Sequence, residues 1–280
     1  MRAELIREST IAGTWYSSDP VLLKKEVSGY LDRAAPPKLK GELTGLLAPH
    51  AGYMYSGNVA AWSYKLLSKD MFDRVLLIAP SHRVAFTGAS ISRAEGLRTP
   101  LGVVPLDHEL IGELRKYSCL FGYNPEAESL EHALEIQLPF LQVVLGRFKL
   151  TPVIVGTREV PFCISLSEAI AKVCGAKRVL IIASSDFSHY HSAEEARRLD
   201  AIGLNLIEAF DPENLAVAVD NRETEACGAG PIITLLYAGR KLGADQCKVL
   251  YYANSGDVTG DTSRVVGYGA AAIYRRAEDG

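Results

Sequence analysis

The 280-residue chain has no apolar run near the roughly 18 to 20 residues that cross a bilayer as a helix, and no dense block of lysine or arginine. With 30 basic against 33 acidic side chains its net charge is only −3, so it sets up no long-range field to draw in nucleic acid or an anionic membrane. Its five cysteines, Cys119, Cys163, Cys174, Cys227 and Cys247, are odd in number, widely spaced and without a CxxC pair. That pattern argues against a disulfide framework and against a structural zinc knot. There is also no CxxxCxxC run of the kind that would hold an iron–sulfur cluster. The opening "MRAELIREST" lacks the apolar core of a signal peptide. The expectation is a cytoplasmic protein with free thiols that engages neither nucleic acid nor membrane.

What is present is a globular composition, 48% hydrophobic and 22% charged. Aliphatic runs of strand length alternate with helix-like segments, which predicts an α/β fold. "LTGLLAP", "RVLLIAP", "LTPVIVG" and "RVLIIAS" read as strands, the second buried on both faces because its apolar residues are consecutive. "CKVLYYANS" and "VVGYGAAAIY" add two more, and "GASISR" with "LRTPLGVVP" suggests an antiparallel pair around a Pro-Gly turn. Helices are expected over "NVAAWSYKLLS", Asp107 to Tyr117, Ser129 to Leu145, "FCISLSEAIAKVCG" with Gly175 as its stop, and Ala193 to Phe210. Another starts at Asp211-Pro212, with Asp capping and Pro at the first helical position. No interdomain linker is visible, so residues 1–280 read as a single domain with a largely parallel or mixed central sheet flanked by helices.

Three of the six histidines follow aliphatic runs: His50 in "GLLAPHAGYMYSG", His82 in "RVLLIAPSH" and His189 in "RVLIIASSDFSH". In open α/β sheets ligands sit beyond the carboxyl ends of the strands, so parallel strands would bring these side chains to one edge. Neutral imidazole nitrogens favour a borderline divalent metal, iron, zinc or copper, over magnesium or calcium. Asp186, three residues before His189, can orient it, bind the metal as a carboxylate, or simply cap a turn. His191 can face away from the site or gate it.

A second cluster lies in "AESLEHALEIQLPFLQ". On a helix, Glu128, His132 and Glu135 share a face, either as a titrating histidine between carboxylates suited to proton transfer or as ordinary surface pairs. His108 reads as a surface histidine. Cys227, among small residues before Pro231, is either a thiol set near a ligand with its pKa lowered by a helix N-terminus, or a small buried turn residue. The other four cysteines sit in apolar contexts and read as packing residues. Trp15, Tyr16, Tyr53 and Tyr55 can wall an aromatic pocket.

"GTWYSSDP", "LLAPHAGYMYSG", "LIAPSH", "EHALEIQLPFL", "SSDFSHY", "ACGAGPI" and "YYANSGDVTGD…VVGYGAAAIY" together resemble the MEMO family (mediator of ErbB-driven cell motility), in order and over nearly the whole chain. That family is similar in fold to the class III extradiol dioxygenases, non-haem iron enzymes that open catechol rings. The resemblance implies a metal site of His50, His82 and His189, with Asp186 and Cys227 as neighbouring site residues and Trp15 and Tyr55 lining the cleft. His189 would then replace the carboxylate that completes the dioxygenase iron site, which counts against ring cleavage. The leading expectation is an iron- or copper-dependent oxidoreductase of unknown substrate, with Asp186 tuning a ligand, Cys227 a redox-active or coordinating thiol, and His132 a proton shuttle. One alternative is a zinc-type hydrolase. Another is a non-catalytic module binding a small molecule, anion or (phospho)peptide, as the eukaryotic members imply. The prokaryotic members imply partnership with a radical-SAM protein and an AMMECR-like protein.

Overall fold

The computed structural model describes residues 5–175 and 177–277. The first four and last three residues of the expected 1–280 domain lie outside the described residues. In chain order the elements are β1 (Ile6–Arg7), α1 (Pro20–Arg33), β2 (Gly41–Ala48), α2 (Tyr53–Tyr64), β3 (Arg74–Pro80), β4 (Ala89–Ile91), β5 (Gly96–Thr99) and β6 (Gly102–Pro105). Then come α3 (His108–Tyr117), β7 (Phe121–Gly122), α4 (Pro125–Ser129), α5 (Leu138–Leu145), β8 (Lys149–Val155), α6 (Val160–Cys174), β9 (Val179–Ser184) and β10 (His189–His191). The chain closes with α7 (Ala193–Glu208), α8 (Pro212–Asp220), α9 (Ala229–Lys241), β11 (Gln246–Asn254), α10 (Gly256–Thr259) and β12 (Val265–Arg276).

The aliphatic strands form the floor of the molecule. β2, β9, β3 and β8 lie side by side and parallel, and every residue of β9 is buried. Such strands need cover on both faces. α1, α2 and α5 supply one layer, and α6, α9, α7 and α8 another. β12 runs antiparallel to β2 and carries β10 and β11 as antiparallel partners. At the far side β4 is antiparallel to β8 and β7 parallel to β4. A separate small sheet joins β1, β5 and β6; the antiparallel pair forms within "LRTPLGVVP" as β5 and β6, and "GASISR", expected to pair with that stretch, is instead β4 of the main sheet. The fold is thus the α/β class with a mixed sheet and flanking helices.

Local chemistry sets the helix boundaries. Asp19 accepts from the N–H groups of Val21 and Leu22 ahead of Pro20, and α1 buries Leu23, Val27 and Leu31, one turn apart. Asp211 caps α8 through the N–H of Asn214, with Pro212 in the first turn, and α6 ends at Gly175. α2 starts earlier than its apolar spacing suggests, at Tyr53, and includes Gly57. A Cβ there would stand 2.7 Å from the Tyr30 ring, so this glycine permits the close crossing of α1 and α2.

Three expectations are corrected. The helix expected over Ser129 to Leu145 is broken: α4 ends at Ser129, a 3₁₀ turn spans Glu135–Gln137, and α5 begins at Leu138 with Pro139 in its first turn. Proline disfavours helix upstream of itself, and Glu131 and Glu135 are buried against other segments. Glu128, His132 and Glu135 therefore share no helix face. Cys119, expected to be packed, is exposed, while Cys163, Cys174 and Cys247 are buried; all five thiols are free.

Candidate metal centre

The adjacent strands β2, β9 and β3 end at Ala48, Ser184 and Pro80 on one edge. His50 and His82 leave from the outer two strands and face each other above β9, their rings edge to face with centroids 5.1 Å apart. A third ring enters from the loop after α4: His132 stacks near His82 at 4.6 Å and stands 5.6 Å from His50. One donor nitrogen of each ring lies within 4.8 Å of the other two, the one such group among the described residues.

The outer side of the first two rings is already committed. Ser184, the last residue of β9, bonds its hydroxyl to the Ala133 carbonyl at 2.7 Å and to His50 Nδ1 at 3.0 Å, and receives Gln137 Nε2 at 2.8 Å. A hydroxyl has one proton. With that proton on the carbonyl, His50 Nδ1 is the donor and Nε2 keeps its lone pair. Glu131 does the same for His82: Oε2 accepts the backbone N–H at 2.7 Å and Oε1 the ring Nδ1 at 2.9 Å. Oε1 also accepts the Ala133 N–H and stands 3.6 Å from His132 Nδ1. Such outer partners fix the tautomer and aim of ligating histidines.

Burial keeps two of the rings neutral. Burial, reinforced by His82, lowers His50 to about 3. Burial, reinforced by His50, lowers His132 to about 3. Burial pushes the Glu131 carboxyl up, but hydrogen bonds from His82 and Ala133 outweigh it and hold the group at about 2. Imidazoles backed by one carboxylate are a donor set suited to a borderline transition metal.

Cys227 adjoins this group. Its Sγ lies 3.1 Å from His50 Nε2 and 3.5 Å from the Asp186 carbonyl. Gly228 holds it there. Its N–H donates to Ser185 Oγ, and a Cβ on it would come within 2.5 Å of the Ser184 carbonyl. Of the two alternatives for Cys227, the lowered thiol pKa is disfavoured. Burial and the Asp186 charge push the Cys227 thiol well up, because both disfavour a thiolate more than the start of α9 favours it. Asp186 Oδ1 accepts the His50 N–H at 2.7 Å, so its carboxylate caps the turn that delivers His50. Burial raises this carboxyl to about 6.

His189 is not one of the clustered three. After Ser184 the chain turns, and Phe187 and Ser188 exchange backbone hydrogen bonds with Gly267 of β12. This places His189 in β10, paired to Val266 across a bulge. His189 still borders the site, near enough to act electrostatically on His50 and Asp186, while His132 supplies the third ring of the close group. His191 bonds Glu225 at 3.1 Å, and the exposed His108 pairs with Glu95 at 2.8 Å. Glu128 accepts from Ser90 Oγ, and Glu135 faces the N-terminal segment, so neither brackets His132.

Glu131 and Ser184 escaped the sequence reading. The adjacent Glu-His of "EHALEIQ" was the available signal for Glu131. Ser184 is one of many serines and carried none. Beside the histidines lies a cleft of about 820 Å³, whose lining includes Trp15, Tyr55, Tyr190, Arg264 and Tyr268. Trp15 joins cleft to cluster, with its ring 4.3 Å from that of His132.

Comparison with known proteins agrees with the motifs. Residues 7–272 match the family model described as Memo-like protein. A MEMO1 family protein of Methanococcus vannielii is 36% identical, covering 96% of this chain and all of its own length. Another from Sulfolobus acidocaldarius is also 36% identical, covering 94% of this chain and 98% of its own. Among solved structures, an uncharacterized Escherichia coli K12 protein aligns with a TM-score of 0.49 at 12% identity, over 81% of this chain and 99% of its own.

Proposed function

The chain belongs to the Memo-like protein family, and from that premise we propose that it is a metal-dependent oxidoreductase binding iron or copper through His50, His82 and His132. The observation that carries this reading is the meeting of three imidazole donors within 4.8 Å, two of them with their outer nitrogens tied to Ser184 and Glu131. A bound iron or copper ion would supply one-electron chemistry. The chain's own residues do the rest. Cys227 offers a thiol to the same space from beside His50, and Asp186 holds the turn that aims that ring. The cleft bordered by Trp15 and Tyr55 receives the small molecule acted upon. In this reading the chain works beside a radical-SAM protein and an AMMECR-like protein, which co-purification from the native host would reveal.

The test is anaerobic purification followed by elemental analysis of wild type, the triple variant H50A/H82A/H132A and the single variant H189A. Near-stoichiometric iron or copper in wild type and H189A, absent from the triple variant, is the expected result. Stoichiometric zinc would favour the hydrolytic alternative. No metal in wild type would overturn the reading.

The cleft supports a second reading, a binding module for an anionic or phosphorylated peptide. Tyr190 and Arg264 both border it, with the guanidinium 5.2 Å from the ring centroid. A phosphopeptide titration of metal-free protein that stays flat would remove it.

A further inference from the structure

Glu135 lies three residues from His132, is 2% exposed, and spends its carboxylate entirely on the N-terminal segment. Oε1 accepts from Tyr16 Oη at 2.6 Å, from Ser9 Oγ and from the Ile11 N–H; Oε2 accepts from the Thr10 N–H at 2.8 Å and Thr10 Oγ1 at 3.0 Å. These five donors come from residues 9–16, and none is a cation. The nearby Arg7 instead donates to the Glu131 carbonyl.

The segment so held carries Trp15 over His132 at 4.3 Å between ring centroids. The Trp15 carbonyl accepts the Tyr53 N–H at 2.9 Å, and of residues 9–17 only Ile11 and Tyr16 are buried. The same residues, from Gly13 to Ser17, form one wall of the cleft. One buried carboxylate therefore gathers most of the polar ties of a stretch that lies over His132, its apolar anchors being Ile11 and Tyr16 in the core with Ala12 and Trp15 packed against it.

We propose that Glu135 is a positioning residue that latches residues 9–17 as a strap over His132, and that opening of this strap sets the rate at which metal reaches and leaves the histidine group. The inference rests on the metal-binding reading of that group. It follows from the kind of attachment. Local segments open with a free energy set by their own contacts, and here most of the hydrogen bonds to distant residues converge on one charged acceptor. Charge-assisted hydrogen bonds are the strong ones, so neutralising that acceptor weakens all five together while leaving the histidines and their Ser184 and Glu131 partners untouched.

The experiment uses the full chain loaded with cobalt(II). Release to excess chelator is followed by stopped flow, and hydrogen exchange of residues 9–17 by mass spectrometry, in wild type, in Glu135→Gln and in Ser9→Ala/Thr10→Ala. The double variant removes two donors from the strap and leaves the carboxylate in place. Both variants are expected to release cobalt about ten-fold faster or more, with affinity held within about three-fold and faster exchange confined to the strap. Faster exchange with unchanged release would overturn the gate. A fall in affinity matching the faster release would show that Glu135 only shapes the histidine group, and would overturn it as well. Failure of wild type to bind cobalt at all would refute the metal reading beneath it. In that case unaltered exchange in both variants would separately refute the latch.

Discussion

Glu131 grips His82 twice, its two carboxylate oxygens accepting the backbone N–H at 2.7 Å and the ring Nδ1 at 2.9 Å. The pair fixes both where the ring stands and which nitrogen faces the cluster. Glu131→Gln keeps the shape but loses the charge and turns one acceptor into a donor. Metal affinity is expected to fall about 10- to 100-fold, the usual cost of losing such a partner, as read by competition with a chelator. An unchanged affinity would mean that His82 is not a ligand.

Gly228 presses the Cys227 loop onto the end of β9. In Gly228→Ala the new methyl would meet the Ser184 carbonyl at 2.5 Å and Ser185 Cβ at 2.6 Å. Overpacking of this kind costs about 1–3 kcal/mol, and relief requires Cys227 to move away from His50. A lower thermal midpoint together with faster alkylation of Cys227 is expected. A variant as stable as wild type with an equally shielded thiol would show that the loop has slack.

Three buried groups beside the site contribute to the pH dependence of stability in the metal-free protein. His50 and His132 titrate near 3 when folded and near 6.5 when unfolded. Between those values the unfolded chain binds more protons, so their contribution is complete above about pH 6.5 and is lost as pH falls toward 3. Asp186 acts oppositely. Its folded value is about 6 against 3.8 unfolded, so its contribution is present below 3.8 and lost as pH rises through 6. Glu131 acts with the two histidines, and buried Glu128 and Asp200 act with Asp186; with the site's own groups dominant, urea midpoints should rise from pH 4 to 6. Asp186→Asn removes one opposing group and keeps a cap acceptor for the His50 N–H, so its rise should be steeper. A slope equal to that of wild type would contradict the Asp186 assignment.

Asp200, fully buried on α7, accepts the Ser188 N–H at 3.0 Å and the Tyr252 hydroxyl at 2.7 Å. It thereby holds the start of β10 against β11 and β12. Asp200→Ala leaves both donors unpaired, at a cost of about 1–3 kcal/mol for each buried group, measured by chemical denaturation. Its effect on metal content should be far smaller than that of His132→Ala. Equal loss of metal in the two variants would mean that β10 supports the histidine group directly.

Much of the architecture is local, and so was readable from the chain. Short aliphatic runs that end in turn residues read as strands covered on both faces, and Asp19-Pro20 and Asp211-Pro212 start helices by neighbouring hydrogen bonds. The motifs alone placed the chain in its family. The positions of His50 and His82 followed from the same logic, since each comes just after a strand whose parallel neighbours end at the same edge. His189 borders the site but stays outside the three-ring group, where β12 captures Phe187 and Ser188 through the backbone of Gly267, some 80 residues further on. No local pattern encodes that pairing. Nor does one encode the burial of Glu131 and Glu135, which in "EHALEIQ" look like ordinary charges of a surface helix. What the sequence by itself determined was the set of strand ends that could present a histidine. Only the tertiary structure decided which third ring arrives and what stands behind it, because a buried carboxylate is stable only where distant backbone and side-chain donors converge on it.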